Sequence, residues 1–312
     1  MATTNVSEDE KQNYAEMFQY LYCSLDRATA IHGQLTFIAV LNAFLSITAF
    51  LGNVLVLVAL LRDSSLHPPS KLLLRSLAVT DLCAGLFSEP LYVTLLVTVV
   101  NEQWNICRYV AVAFSATSTI LALASLSTLT AISVERLLAL LLGLRYRQVV
   151  TLKRTRFIIS SFWVLPVGLG TTTLLWKFPI APGCRTTVVL LCLATSTFSH
   201  TKIFLTLRRH QSQVKDHVQQ PNQTHQLNIA RFRKAVSTVL WLQFTLIVCY
   251  LPLVISANLF RNTEPSSSNI AAVSYSVPLV FLNSSLNPIL YCWKIDEVRQ
   301  GMKETIRQIL CC

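Results

Sequence analysis

Long apolar runs separated by short polar segments make up most of the chain. Each run is about 20 residues or longer, which is the length a helix needs to cross a membrane. A spanning segment has to satisfy its own backbone hydrogen bonds, and no short alternating strands are visible, so we interpret the runs as helices. The pattern predicts seven of them: Leu35–Leu61, Leu72–Val100, Val110–Leu142, Phe157–Phe178, Thr186–Leu207, Ala235–Phe260 and Ile270–Trp293.

The connections between the runs are short and leave no room for a separate soluble domain. Beyond the seventh run, apolar residues recur at helical spacing up to Ile309, which indicates an amphipathic helix on the membrane surface. The fold class is therefore an all-α membrane bundle of seven helices with a short amphipathic eighth helix. We divide the chain into an N-terminal segment (1–34), the transmembrane domain (35–293) and a surface helix with a tail (294–312).

Composition and charge agree with a membrane protein. Hydrophobic residues make up 53% of the chain and charged residues only 13%, whereas soluble domains carry about 25% charged residues. If the N-terminus is extracellular, 20 of the 26 Lys and Arg residues fall on the inner side. We therefore expect a multi-pass protein of the plasma membrane with a cytoplasmic C-terminus. The net charge of +11 follows from this asymmetry, so no nucleic-acid partner is needed to explain it.

Three cysteines lie on the side that this topology makes extracellular. Cys107, at the outer end of the third run, and Cys184, before the fifth, form the best disulfide candidate because that side is oxidising. Cys23 is left without an obvious mate.

Two kinds of lipid or sugar modification are also indicated. Cys311 and Cys312 end the chain on the inner side, after the amphipathic stretch, and are candidates for palmitoylation. Asn5, in the sequence Asn-Val-Ser, is a glycosylation sequon on the outer side.

Polar residues inside the apolar runs are the clearest functional candidates, since a charge within a membrane helix is costly. Asp81 lies in the second run, and Glu135 and Arg136 stand side by side near the inner end of the third. Pro252 and Pro288 each remove an amide hydrogen and bend their helices.

In order and spacing, these residues resemble the rhodopsin-like family of G-protein-coupled receptors, and the resemblance covers essentially the whole chain. The matching motifs are Asn53, Asp81 in an LAxxD-type sequence, Glu135-Arg136, Trp163, Pro252 and Asn287-Pro288-x-x-Tyr291. The resemblance implies a receptor in a lipid bilayer that transmits an extracellular ligand signal to a heterotrimeric G protein. It implies no enzymatic activity and no covalent cofactor.

The resemblance also assigns the coupling residues. Glu135-Arg136-Leu137 matches the family's Asp-Arg-Tyr motif, in which the acid holds the arginine at rest and releases it to the G protein when helix six swings out. The alternative is an ordinary arginine that reaches to the interface from a helix end. The residues assigned to coupling and switching are Glu135, Arg136, Asn287, Pro288, Tyr291, Tyr250 and Pro252.

A second set matches the positions that hold a sodium ion in the family. Carboxylate, hydroxyl and amide oxygens are ligands that suit a hard cation. The alternative is a hydrogen-bonded polar core without an ion. The set comprises Asp81, Ser125, Asn283, Ser284 and Asn287.

The chain departs from the family pattern near this switch. Tyr250 replaces the usual tryptophan of helix six, Cys192 replaces the helix-five proline, and His200 replaces the tyrosine eight residues later. No acid precedes Lys234 to form an inner ion pair with Arg136. The resting restraint is therefore expected to differ from that of the family.

The residues at two ligand-binding positions of the family exclude two classes of ligand. Phe281 stands where opsins carry the retinal lysine, and Ser118 stands where aminergic receptors carry an aspartate. Glu89 is the one acid at pocket depth, where it would pair with a cationic peptide or nucleoside group or cap a kink. The expected pocket thus contains Glu89, Ser118, Tyr250 and Phe281.

The short loop before the fifth run and its missing proline resemble the melanocortin, lysophospholipid, cannabinoid and adenosine receptors. Cys107 departs from the melanocortin and lipid-receptor pattern. A seven-helix transporter or channel is the competing class, but such proteins usually show internal repeats, and none is visible. A membrane enzyme would need clustered histidines and carboxylates, whereas the six histidines are scattered.

Overall fold

A computed structural model describes residues 23, 31–62, 66–175, 181–217, 223–261, 267–294, 299–302 and 307. Within those ranges almost every residue is helical, and the predicted seven-helix bundle is confirmed. The long helices are α1 (His32–Arg62), α2 (Pro68–Val100), α3 (Trp104–Leu142), α4 (Leu152–Leu175), α5 (Ala181–His217), α6 (Gln223–Arg261) and α7 (Ser267–Lys294).

Several helices extend beyond their apolar runs. The helix α5 continues to His217 and α6 begins at Gln223, both in polar sequence. An apolar run marks the part of a helix that faces lipid, and the backbone hydrogen bonds of the helix continue past it. By length and composition, six of these helices are able to span a membrane; the described part of α4, with 24 residues, is long enough but is not among the six.

The helices form a ring with α3 near its centre. The helix α3 packs against α2, α4 and α5, while α7 packs against α1 and α6 and closes the ring. Buried side chains form two clusters along the bundle axis. One surrounds Tyr92 and Cys107, at what we call the disulfide end; the other surrounds Leu77, Leu126 and Leu246, toward the end that carries Arg136, which we call the Arg136 end.

Large apolar side chains also cover the outside of the bundle. Phe37, Phe44 and Leu51 of α1 lie seven residues apart, on one helix face, and are 61%, 64% and 55% exposed. An apolar face of this size is a liability in water, but lipid tails solvate it well. The surface therefore fits a bundle embedded in a bilayer.

The helix α2 contains one wide turn. Ala84–Ser88 is π-helical, between the α-helical parts Pro68–Cys83 and Glu89–Val100. Gly85 allows α1 to approach closely here: Ser46 Oγ donates a hydrogen bond to Gly85 O at 2.7 Å, and a Cβ on Gly85 would lie 2.9 Å from the Phe50 amide nitrogen. The turn thus sits at the contact between α1 and α2.

The chain reverses at the Arg136 end of α3. Gly143 ends the helix with a φ of +50°, a conformation that glycine adopts without a side-chain clash. The short helix Tyr146–Val149 follows and leads into α4. This reversal brings Tyr146 back toward α3, next to Glu135.

The expected Cys107–Cys184 disulfide is wrong. Cys107 is bonded to Cys23, with the two Cα atoms 6.0 Å apart, and Cys184 is a free, exposed thiol in the first turn of α5. Cys107 is buried in the cluster at the disulfide end, and Cys23 packs against that same cluster. The N-terminal segment therefore supplies the partner that the loop before α5 was expected to supply.

Other sequence predictions fall outside the described residues. Asn5, Cys311 and Cys312 are not described, and neither is the side chain of Tyr291. Of the expected surface helix, residues 299–302 are helical, and Met302 is buried in the cluster toward the Arg136 end.

Candidate functional site

Asp81 joins three helices through its carboxylate. It is fully buried in α2, where Ser125 of α3 and Ser284 of α7 each donate a hydrogen bond to Oδ1 at 2.9 Å. Asn287 Nδ2 donates to Oδ2 at 2.7 Å. A carboxylate that accepts three hydrogen bonds is well compensated for its burial. The structure thus brings together four of the five residues that the sequence assigned to an ion site.

The asparagines beside this cluster have different roles. Asn53 Nδ2 of α1 donates to Ser284 O at 3.1 Å and so attaches α1 to the same turn of α7. Asn283 is buried and lines a small cavity of about 40 Å³ together with Asn287 and His200. Its Nδ2 has no hydrogen-bond partner among the described residues. Asn283 therefore adjoins the Asp81 cluster, with an amide still available for one more contact.

Glu135 is held from three directions. Ser70 of α2 donates a hydrogen bond to Oε1 at 2.7 Å, and Tyr146 donates a short hydrogen bond to the same oxygen. Oε2 lies 3.4 Å from Arg136 Nε, which fits an ion pair without a well-aligned hydrogen bond. Glu135 is 5% exposed and the Arg136 side chain 48% exposed. The acid is thus buried while the arginine remains partly open to a partner.

Sequence reasoning missed the two hydroxyl partners of Glu135. Ser70 lies in the first turn of α2, and Tyr146 lies beyond Gly143, in a turn whose path the apolar pattern does not specify. His67 Nδ1 lies 3.4 Å from the Tyr146 hydroxyl, so the contacts extend to the start of α2.

A cavity of about 140 Å³ lies between α3, α5, α6 and α7, in the half of the bundle toward the disulfide end. Ser118, Tyr250 and Phe281 line it, as the sequence suggested. Glu89 does not. Its side chain is fully buried away from the cavity, and neither of its oxygens has a hydrogen-bond partner among the described residues. The wide turn just before Glu89 changes the direction in which this residue points, which counting along a regular helix does not foresee.

Arg185 is the cavity residue that sequence reasoning missed. It is the one charged residue that the structure shows lining the cavity, and its Nη1 donates a hydrogen bond to Thr119 Oγ1 at 3.2 Å. The residue follows Cys184, in the first turns of α5. The available signal was a basic residue on the outer side next to an apolar run, which by itself is typical of any helix end.

A polar cluster connects α5 and α6 toward the Arg136 end, and we call it the 200–243 clasp. Its strongest bonds run from His200 Nδ1 to Gln243 Oε1 at 2.8 Å and from Gln243 Nε2 to Thr197 Oγ1 at 2.7 Å. Ser196, fully buried, also donates to Gln243 Oε1 at 3.3 Å, and its oxygen lies 3.3 Å from Ser133 Oγ of α3. The clasp therefore links α5 to α6 directly through side chains.

Comparison with known proteins agrees with this architecture. Residues 52–182 and 176–291 match the family model described as the seven-transmembrane receptor, rhodopsin family. Over 280 residues the chain is 25% identical to melanocortin receptor 5 of Pan troglodytes, covering 86% of this chain and 82% of that receptor. Over 308 residues it is 29% identical to adenosine receptor A2b of Bos taurus, covering 86% and 88%.

These matches cover most of both chains, so they concern the whole bundle rather than one motif. Melanocortin and adenosine receptors are both in the group of receptors that the sequence resembles, although the two are named after different ligands. The family is one of receptors rather than enzymes. With its seven helices, its buried Asp81 cluster and its Glu135–Arg136 pair, the chain belongs to the rhodopsin family of G-protein-coupled receptors.

Proposed function

We propose that this receptor binds a small extracellular ligand in the cavity between α3, α5, α6 and α7 and activates a heterotrimeric G protein at the Arg136 end. The proposal rests on the surroundings of Arg136: its side chain lies beside a buried acid, Glu135, and is about half exposed. An arginine in this position is restrained, yet a partner at the membrane surface is able to reach it.

The restraint depends on Glu135. Ser70 and Tyr146 fix the carboxylate through Oε1, which leaves Oε2 facing Arg136. Activation then requires α6 to move away from α3 so that a G protein is able to contact Arg136. Pro252 in α6 and Pro288 in α7 interrupt the hydrogen-bond ladders of their helices and supply the bends about which such movement occurs. The lysines and arginines concentrated at this end support a cytoplasmic location for it, with the N-terminus extracellular.

We infer that Asp81, Ser125, Ser284 and Asn287 hold a sodium ion in the resting receptor. The donor set fits: the hydroxyl oxygens of Ser125 and Ser284 each lie 2.9 Å from Asp81 Oδ1, and Asn283 lines the small cavity beside Asn287. Among the described residues, no group of three or more His, Cys, Asp or Glu is placed to hold a metal ion, so a single negative charge defines this site. A monovalent hard cation matches that charge. Bound there, the ion would balance the carboxylate and favour the arrangement in which α2, α3 and α7 meet.

The test is the loss of Arg136. The receptor is purified, reconstituted in lipid with a panel of G proteins, and assayed for nucleotide exchange. We expect Arg136→Ala to lower exchange on the responsive G protein by about tenfold or more, because the partner loses a charge-assisted contact. The matched control is Arg156→Ala, at an exposed arginine of α4 near the same end, which should leave exchange unchanged. Normal exchange by the Arg136 variant, or no exchange with any G protein by the unaltered receptor, would contradict the proposed function.

A further inference from the structure

The cavity has two chemically different parts. Seventeen described residues line it, and most contribute only hydrocarbon or aromatic surface. Apart from Tyr250 of α6, the polar lining residues lie on α3 and α5, where Arg185 lies with Thr119 and Ser118. No carboxylate is among the lining residues that the structure describes. A ligand that fills this cavity thus meets a positive charge at one side and an apolar surface elsewhere.

Arg185 is positioned rather than free to swing. Its Nη1 donates to Thr119 Oγ1, and Thr119 is itself only 5% exposed. A guanidinium keeps its charge at all physiological pH values and presents five N–H donors in a planar fork, which matches the two oxygens of a carboxylate. A charge-assisted hydrogen bond is also stronger in a site lined with apolar groups than in water.

The rest of the cavity suits a ring or a short alkyl chain. Phe114 and Phe281 lie with their ring centroids 6.3 Å apart and their planes inclined by 60°, and Tyr250 lines the cavity on the α6 side. The volume of about 140 Å³ is close to that of an engineered cavity of about 150 Å³ that holds one benzene molecule. The buried part of the ligand is therefore about the size of one aromatic ring.

We propose that the ligand is a small amphipathic anion, with its acidic group at Arg185 and an aryl or short alkyl body among Phe114, Tyr250 and Phe281. The inference deepens the proposed function and rests on it for the role of this cavity. It differs from the pocket expected from the sequence alone, in which an acid, Glu89, would either pair with a cationic group or cap a kink.

The experiment compares three probes of similar size and different charge: phenylacetate, phenylacetamide and phenethylamine. Binding to the full-length receptor in nanodiscs of uncharged lipid is measured by saturation-transfer NMR and by the shift in Tm, without a G protein. We expect phenylacetate to bind about tenfold or more tightly than the amide, since its carboxylate makes the charge-assisted contact. The amine should bind most weakly.

Variants assign this preference to Arg185. Arg185→Gln should remove the advantage of phenylacetate over phenylacetamide, and Arg185→Glu should make phenethylamine the best of the three probes. Arg108→Gln, at an exposed arginine on α3 near the same end, is the matched control and should keep the original order. Val277→Phe, which fills the cavity from α7, should abolish binding of all three.

The inverted preference of Arg185→Glu separates a direct contact from a folding defect, because an unfolded variant binds none of the probes. Equal affinity for the three probes, no binding of phenylacetate, or an unchanged order in Arg185→Gln would overturn the proposal. Because no G protein is present, a receptor that binds phenylacetate but fails to promote nucleotide exchange would contradict the proposed function and leave this inference standing.

Discussion

In the proposed mechanism, Glu135 is the single carboxylate that restrains Arg136. Two of its contacts, from Ser70 and Tyr146, are hydrogen bonds that a neutral oxygen also accepts. The third, to Arg136, depends on charge and joins a buried atom to a half-exposed one. Solvent screens the attraction on the exposed side, so the pair contributes about 1 kcal/mol or less.

Replacing Glu135 with Gln removes the charge and keeps the shape. Basal nucleotide exchange should therefore rise, by about twofold to fivefold, because only the attraction to Arg136 is lost. Tyr146→Phe should also raise it, since the carboxylate then loses one of the donors that hold it in place. Both are measured as exchange on a G protein in reconstituted membranes without ligand. Unchanged or lower exchange in Glu135→Gln would show that the acid does not restrain the arginine.

Asp81 is the second residue with a definite expected outcome. Sodium should raise the Tm of the unaltered receptor relative to potassium at equal ionic strength, because an ion that binds one conformation stabilises it. Asp81→Asn removes the only charge in the donor set, so this difference should vanish. Ser285→Ala is the control: Ser285 is buried in the same turn of α7 but donates to Leu45 O of α1. A sodium effect that survives in Asp81→Asn would place the ion elsewhere.

At the scale of helices, the 200–243 clasp connects α6, which moves in the proposed mechanism, with α5. Gln243 of α6 bonds both His200 and Thr197 of α5, and outward movement of α6 has to separate them. In the proposed mechanism the clasp is therefore a second restraint, in addition to Glu135.

Gln243→Leu should raise basal exchange and lower the Tm. The substitution removes the Gln243 contacts of the buried His200 and Ser196, at a cost of about 1–3 kcal/mol that applies only to the closed arrangement. Thr245→Val is the matched control on α6, since the Thr245 hydroxyl bonds the backbone of its own helix, Trp241 O. If Gln243→Leu lowers the Tm without any rise in exchange, the clasp stabilises the bundle but does not restrain activation.

At the scale of the whole molecule, one disulfide ties the N-terminal segment to the bundle. Cys23 and Cys107 are 84 positions apart, so the bond spans α1 and α2 entirely. Cys23→Ser and Cys107→Ser should each lower the free energy of unfolding by about 2–4 kcal/mol, and the double variant should lose no more than either single one. Cys184→Ser should have no effect. Thermal unfolding measures the stability of all four variants. In the native receptor, a membrane-impermeant maleimide should label Cys184.

A lower Tm for Cys184→Ser than for Cys23→Ser would restore the pairing expected from the sequence. It would mean that Cys184, rather than Cys23, is the partner of Cys107.

The bundle itself was predictable because each helix has to match the thickness of a bilayer, and this thickness sets the length of its apolar run. The Asp81 cluster was predictable because its members carry recognisable motifs. Arg185, Tyr146 and Gln243 were not, since each acts through a neighbour brought close only by the fold. Cys23 illustrates the same limit: its partner depends on the path of a segment that no apolar pattern constrains.

The wide turn in α2 has a consequence for anyone who exchanges segments between this receptor and another. A helix rotates by about 100° per residue, so one extra residue in the turn Ala84–Ser88 rotates everything after it by that amount relative to a regular helix. A chimaera joined by simple alignment to a receptor whose second helix is regular would present every side chain from Glu89 to Val100 to the wrong neighbours. Deleting one residue between Ala84 and Ser88 would have the same effect in the native chain, turning Glu89 out of its buried position without any change in the residue itself.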